Sequence, residues 1–97
     1  MFAAAMRVDV RLYDVHSLKE KRNIVKKVAS QVTRTHGVSI AEVDYQDLWQ
    51  RTAFGVAASA GQASQLDRIL HAVERDLRER SDIEVLAVAV RHLEEPM

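Results

Sequence analysis

Ser17-Leu18-Lys19-Glu20-Lys21-Arg22 is the stretch around which the chain is organised. Before it, apolar and polar residues alternate; after it, apolar residues recur at the three- and four-residue spacing of a helix. Ser17 is a good helix N-cap, and Glu20, three residues later, completes the pattern of a capping box. The stretch therefore predicts that a strand ends just before it and that a helix begins within it.

The segments on either side predict the first strand and the first helix. Even positions from 2 to 12 are all apolar, which is typical of a strand, here Phe2 to Tyr13, with one face in the core. The helix that follows has an apolar stripe and ends at Gly37, a natural left-handed cap. Lys21 falls beside this stripe, and we expect its ammonium group to reach solvent at the helix start.

The rest of the chain predicts two strands, a second helix and a last strand. Positions 38–45 predict a strand in which the apolar residues change from even to odd positions. A β-bulge near Ile40-Ala41 would keep all of them on one face. Positions 49–60 predict the third strand, and an apolar helical stripe runs from Leu66 to about Arg80. Positions 83–92 predict the fourth strand, with its apolar residues in alternation. These are Leu86, Val88 and Val90.

This order, β-α-β-β-α-β, predicts an α+β fold. We expect a ferredoxin-like two-layer sandwich, in which a four-stranded antiparallel sheet carries both helices on one face. The 97 residues suffice for one domain, expected over residues 1–93, with a loose tail over 94–97. In this topology the start of the first helix and the turn between the second and third strands share one end of the domain.

Composition excludes several classes of protein and site. The chain has no cysteine, which excludes disulfides and thiolate metal sites. The apolar run at positions 2–6 is too short for a signal-peptide core, and no run approaches the ~20 residues of a membrane helix. We therefore expect a cytoplasmic protein with no membrane partner. The histidines and carboxylates lack metal-ligand spacing and no glycine-rich phosphate loop is present, so no metal, cofactor or catalytic set is expected.

Charge is unevenly distributed although the net charge is zero. Between Ser17 and His36 six basic residues stand against one acid, and the rest of the chain carries the balancing excess of acids. Such a helix is a candidate surface for phosphates. An aromatic residue and an arginine from the hairpin of the second and third strands would add a contact. The candidate RNA- or anion-binding residues are Lys19, Lys21, Arg22, Lys26, Lys27, Trp49 and Arg51.

A structural interpretation of the same end stays open beside this one. The acids of the second polar stretch, 42–51, lie near the lysines of the first in the predicted topology, so the two stretches could form ion pairs that only hold the hairpin to the helix. The residues of this predicted structural clasp are Ser17, Glu20, Glu42, Asp44 and Asp47.

Taken together, Ser17–Arg22 and Ala41-Glu42-Val43-Asp44-Tyr45-Gln46-Asp47-Leu48-Trp49-Gln50-Arg51 resemble the YlxP-like family of small bacterial proteins of unknown function. The resemblance runs from Met1 to about Leu93 and implies that Met1 is the natural start. It implies a ferredoxin-like fold, a gene placed among translation and ribosome-maturation genes, and a suggested role near the small ribosomal subunit. The family has no accepted catalytic residues, so the resemblance implies none here.

Two functions follow as hypotheses. The first is a non-enzymatic accessory protein that binds ribosomal RNA or the small ribosomal subunit through the basic helix. The alternative is a homodimeric protein-interaction module with no nucleic-acid role. Its dimer would form through the sheet face that no helix covers, where small residues leave a shallow surface. These residues are Ala53, Gly55, Ala57 and Ser59.

Overall fold

The chain folds in the predicted order in a computed structural model that describes the backbone of residues 1–94. The fourth strand continues to Glu94, two residues past its predicted end, and the last three positions of the predicted tail, 95–97, lie outside the described residues. The elements are β1 (Phe2–Leu12), α1 (Leu18–His36), β2 (Ser39–Asp44), β3 (Arg51–Ala60), α2 (Ala63–Glu79) and β4 (Ile83–Glu94).

The sheet has the strand order β2-β3-β1-β4, and every neighbouring pair is antiparallel. In the centre, Val8 of β1 lies opposite Phe54 of β3 and Val88 of β4. Both helices pack on the face to which these side chains point. This arrangement confirms the predicted ferredoxin-like sandwich.

The core lies between this face and the apolar stripes of the helices. Alternate residues of β1 from Met6 to Leu12 are buried, and they meet a stripe at helical spacing from each helix. Burial of each such Val or Leu side chain stabilises the fold by roughly 1.5–3 kcal/mol. The helix residues at the centre of the core are Val28, Val32, Leu66, Leu70, Val73 and Leu77.

A β-bulge in β2 decides which acids face the helices. The register between β2 and β3 shifts between Glu42 and Asp44, later in the strand than the predicted position at Ile40-Ala41. Residues directly opposite each other share a face. Glu42, opposite the buried Phe54, therefore points to the helix side, whereas Asp44, opposite Ala53, points to the face that no helix covers, called the open face below.

A second bulge lies in β4 at Leu86. Val85 pairs with Val10 and Ala87 pairs with Asp9, so Leu86 is left without a partner on β1. Its side chain is 38% exposed, so Leu86 does not belong to the alternation predicted with Val88 and Val90. The sequence carries the signal for this bulge, because the inward apolar residues change from odd positions (83, 85) to even ones (88, 90).

The third strand begins at Arg51, two residues later than predicted. Trp49 therefore lies in the loop between β2 and β3, with half of its surface exposed, and not on the open face of the sheet. At the start of this loop Tyr45 has a left-handed backbone, with φ of 61°. This conformation turns the chain sharply away from β2.

The bulge at Val43 generates a test of the packing on the open face. A Cβ added at Gly55 would stand 2.7 Å from Val43 Cγ1, so Gly55→Ala should lower the free energy of unfolding by about 1 kcal/mol in urea denaturation. Gly55→Ala combined with Val43→Ala should remove this loss, because the clashing methyl is gone. Equal losses in the single and double variants would contradict the packing.

A buried lysine clasp beside a basic helix

The start of α1 is joined to the hairpin through a lysine with no solvent exposure. Lys21 Nζ lies 2.9 Å from Glu42 Oε2 and also donates a hydrogen bond to the backbone carbonyl of Tyr45. The same Glu42 oxygen accepts a 2.6 Å hydrogen bond from Thr52 Oγ1. We call this group of four residues, Lys21, Glu42, Tyr45 and Thr52, the clasp. It ties α1, the end of β2 and the start of β3 together.

Two features of the local sequence create the clasp. Lys21 precedes Val25 by four residues and Val28 by seven, which places it on the buried stripe of α1. The bulge at Val43 turns Glu42 beneath the helix to meet it. A buried ammonium group is tolerated only when its charge is paired and its donors have acceptors, and the clasp supplies both.

The clasp corrects two expectations. The Lys21 ammonium group does not reach solvent, because a carboxylate and a carbonyl satisfy it inside the protein. Lys21 is consequently not available to a phosphate, and its place among the RNA-binding residues is wrong. Its position belongs instead to the predicted structural clasp, together with Glu42.

A second group of charges supports the hairpin from the open face. Arg7 of β1 binds Asp44 Oδ2 at 2.9 Å and Asp9 Oδ1 at 3.0 Å. The other Asp44 oxygen accepts a 2.8 Å hydrogen bond from the backbone N–H of Tyr45. These two bonds hold the pKa of Asp44 below its usual range, the hydrogen bond from Arg7 being the larger cause. They also help to hold Tyr45 in its left-handed conformation.

The Tyr45 ring receives two guanidinium groups. The Arg51 guanidinium carbon lies 4.8 Å from the ring centroid and that of Arg7 lies 5.8 Å from it, both within the range of a cation–π interaction. Arg51 Nε is buried and has no hydrogen-bond partner among the described residues. Arg51 thus packs on the hairpin, and its guanidinium plane is already occupied on one side.

Asp44 and Asp47 do not form the predicted ion pairs with α1. Asp44 pairs with Arg7, a partner that no pattern in the sequence indicated. Asp47 is exposed and makes no ion pair within residues 1–94. With Trp49 and Arg51 it lines a shallow depression of about 490 Å³ along the loop. The predicted set of ion pairs is reduced to one, between Lys21 and Glu42.

The first turn of α1 confirms the N-cap but modifies the capping box. Ser17 Oγ accepts a 3.1 Å hydrogen bond from the backbone N–H of Glu20. In return Glu20 Oε2 accepts from the backbone N–H of His16, at 2.8 Å, instead of from Ser17. Both predicted residues therefore fix the loop that leads into the helix.

The remaining cations of α1 face solvent. The side chains at positions 19, 22 and 26 follow steps of three and four residues, which places them on one side of the helix, and all three are exposed. Lys27 lies at the flank and reaches Asp82 at 3.4 Å; within residues 1–94 the other three make no ion pair. We call Lys19, Arg22, Lys26 and Lys27 the basic face.

The rest of the described chain has neither a metal-binding group nor a membrane-spanning helix. No group of three or more His, Asp or Glu side chains in residues 1–94 is placed to hold a metal ion, and no described helix is long and apolar enough to cross a membrane. A depression of about 600 Å³ lies at the end opposite the clasp and is lined mostly by alanines and aliphatic side chains, together with Arg91 and His92.

Comparison with known proteins agrees with the two motifs. Residues 3–90 match the family model described as "Protein of unknown function (DUF503)". The chain belongs to this family. A protein of Bacillus subtilis (strain 168) described as "Uncharacterized protein YlxP" is 45% identical to it over 62 residues, which cover 64% of this chain and 67% of that protein. These findings confirm the resemblance to the YlxP-like family.

Two solved structures were found to be similar to the chain. The de novo designed protein Foldit4 is 14% identical, with a TM-score of 0.56 over 97% of both chains. The Escherichia coli Tat proofreading chaperone protein NapD, solved in solution, is 19% identical, with a TM-score of 0.48 over 98% of this chain and 81% of that one. At 14% identity the similarity to Foldit4 concerns the fold alone.

Sequence reasoning missed Thr52, Tyr45 and Arg7. For Thr52 a signal existed, since an even position in β3 points to the core and a buried hydroxyl needs a partner there. The part played by the Tyr45 carbonyl depends on backbone conformation, which composition does not reveal. Arg7 was visible as an outward residue, but nothing in the sequence selected its partner.

The clasp predicts a large loss of stability when its lysine is removed. Lys21→Met leaves the Glu42 carboxylate, which is only 17% exposed, without its cation, so the free energy of unfolding should fall by roughly 2–4 kcal/mol in urea denaturation. Lys19→Met, on the exposed side, is the matched control and should change it by less than about 0.5 kcal/mol. Lys21→Met with Glu42→Leu should recover most of the loss; a double variant as unstable as the single one would refute the pairing.

The lowered pKa of Asp44 predicts a pH dependence. A carboxyl with a lower pKa in the folded state stabilises the fold above its unfolded pKa of about 3.9, and this contribution is lost as the pH falls through the lower folded value. The free energy of unfolding, measured in urea at a series of pH values from about 6 downward, should therefore fall less with decreasing pH for Asp44→Asn than for the unmodified chain. Parallel pH curves for the two proteins would contradict the assignment.

Proposed function

We propose that the chain is a non-enzymatic accessory protein that binds structured RNA, with ribosomal RNA of the small subunit as the expected partner. The observation that carries the proposal is the basic face of α1. Lys19, Arg22 and Lys26 stand on one side of the helix, exposed and without ion pairs in the described part of the chain. Cations that the fold does not use are available to phosphates.

The clasp supports the proposal by separating two roles within one basic segment. Lys21 is used to attach α1 to the hairpin, and its neighbours are left free. Attachment at the first turn fixes the direction in which the basic face points. A preorganised surface loses little conformational freedom on binding, and this favours affinity.

The form of the basic face favours contact with the RNA backbone. From Lys19 to Lys26 the helix rises about 10 Å, so the cations form a short row and not a single point. Double-stranded RNA is recognised mostly by its shape and its phosphates, for which such a row is suited. Glu20 occupies part of the field at the helix start, so the side chains must provide most of the attraction.

The hairpin loop offers a second contact. The Trp49 ring is 49% exposed beside the depression that it lines with Arg51. An exposed indole is a surface on which an unpaired base can stack. In this proposal Trp49 binds at the border between a helical RNA segment and a loop, and Arg51 chiefly supports the hairpin by packing on Tyr45. A cytoplasmic location follows from such a partner.

The second candidate is a homodimeric protein-interaction module with no nucleic-acid role. The observation in its favour is the open face, where no described element covers small side chains such as Ala57 and Ser59, which are exposed. The oligomeric state of the isolated chain and its indifference to RNA would separate this candidate from the first.

Co-sedimentation with purified ribosomal subunits tests the first candidate. Binding should weaken steeply with salt, with a slope of log K against log [salt] of about −3 for four phosphate contacts. Lys19→Glu with Lys26→Glu should lower the affinity at low salt by at least about tenfold and make the slope shallower by one to two.

The matched control is Arg68→Glu with Arg75→Glu on α2. It changes the net charge by the same amount at exposed positions outside the basic face. Binding that falls equally in both double variants would indicate a nonspecific charge effect. Binding that is absent, or indifferent to salt and to both variants, would refute the proposal.

A further inference from the structure

The outer edge of β4 is a long strand edge without a partner. β4 spans 12 residues at one end of the sheet and pairs only with β1; nothing in residues 1–94 pairs with its other side. Its sequence from 83 to 94 contains no lysine and no proline, the residues that commonly protect an edge. The opposite edge, β2, has only 6 residues, and each of the two edge strands carries one bulge. β4 is therefore the edge more open to another strand.

The register of β4 on β1 sorts its side chains onto two faces. Ala89 lies opposite Arg7 and Ala87 opposite Asp9, so both alanines point to the open face. Arg91 and Glu84, opposite Ala5 and Arg11, point to the same face because the bulge at Leu86 adds one residue between them. Val85, Val88 and Val90 point to the helix side.

This pattern is symmetric about Val88. Val88 lies opposite Val8 of β1. Ala89 and Ala87 lie opposite the residues one position before and one position after Val8, and Val90 and Val85 lie opposite the residues two positions before and after it. Arg91 and Glu84 lie three positions either side. A second β4, antiparallel to the first about an axis at Val88, would therefore meet alanine with alanine, valine with valine, and arginine with glutamate twice.

We infer that the outer edge of β4 binds β4 of a second copy of this chain, in antiparallel register about Val88, to form a continuous eight-stranded sheet. Complementarity of the strand with itself favours a second copy over an unrelated peptide, because a foreign strand has no reason to match this symmetry. The two pairs of Arg91 with Glu84 fix the register, since a shift by two residues removes both.

The dimer is compatible with the basic face but does not depend on it. α1 packs against β2, toward the other edge of the sheet, so pairing through β4 leaves both basic faces exposed. This dimer also differs from one through the open face, because the edge dimer uses backbone hydrogen bonds and leaves the open face uncovered. Concentration-dependent protection of the β4 backbone from hydrogen exchange therefore distinguishes the two.

Sedimentation equilibrium of purified chains over a range of concentrations tests the inference. The unmodified chain should form dimers. Arg91→Glu and Glu84→Arg should each dissociate more readily, by about tenfold or more in the dissociation constant, because each change places two pairs of like charges in contact. An equimolar mixture of the two variants should recover dimerisation, because both pairs are attractive in the mixed dimer.

Arg75→Glu, an exposed change on α2, is the control and should dimerise like the unmodified chain. Circular dichroism verifies that each variant is folded, since Glu84 also binds Arg11 at 3.4 Å. If Glu84→Arg fails to fold, amide hydrogen exchange of the unmodified chain decides, with concentration-dependent protection expected in β4 and not in β2. A monomer at all concentrations, dimers unaffected by Arg91→Glu, or a mixture of folded variants without recovery would each overturn the inference.

Discussion

The fold depends at one end on a single buried charge, the Lys21 ammonium group. It lies where the helix start, the end of β2 and the first residues of β3 meet, and it bonds directly to Glu42 of β2 and to the Tyr45 carbonyl just after that strand. Thr52 extends the contact to β3 by donating to Glu42. An ammonium group withdrawn from water carries a large desolvation cost, so these partners are required together. The apolar core determines that helices and sheet pack, whereas the clasp determines where the hairpin lies against α1.

This arrangement explains how neighbouring lysines of one helix differ in role. Helical geometry places Lys21 on the buried side and Lys19 on the opposite side, because residues two positions apart lie about 200° apart around a helix. The ammonium group of Lys21 is neutralised inside the fold by Glu42, which lies far away in sequence. A count of charges along the segment therefore overstates the charge presented to a partner by one. What remains is a compact row of cations on a helix whose first turn is fixed by hydrogen bonds.

The element order, the topology and most of the core follow from the sequence because they depend on local period and parity. The N-cap at Ser17 and the left-handed cap at Gly37 were predictable for the same reason, as both are local choices. The bulges were harder, since a single extra residue reverses every later side chain. In β4 the inward apolar residues change from odd to even positions between Val85 and Val88, which is visible in the sequence. In β2 the apolar residues do not show where within the six-residue strand the change occurs. The fate of Lys21 could not be predicted from its helix alone, because its acceptors become neighbours only through the bulge and the turn of Tyr45.

The contacts that fix the turn at Tyr45 use backbone atoms of that residue and not its side chain. Lys21 binds the main-chain oxygen there, an atom that every amino acid possesses, and Asp44 binds the main-chain N–H. The left-handed backbone is adopted most readily by Gly, Asn, Asp and His, so tyrosine is not the residue that this geometry selects. Positions 21, 42 and 44 therefore constrain the backbone of the turn, whereas the side chain at position 45 adds the packing of Arg7 and Arg51 on its ring. Proline, which lacks the N–H, does not fit there. A change of side chain at position 45 would thus leave the backbone bonds of the turn in place and remove only the ring packing.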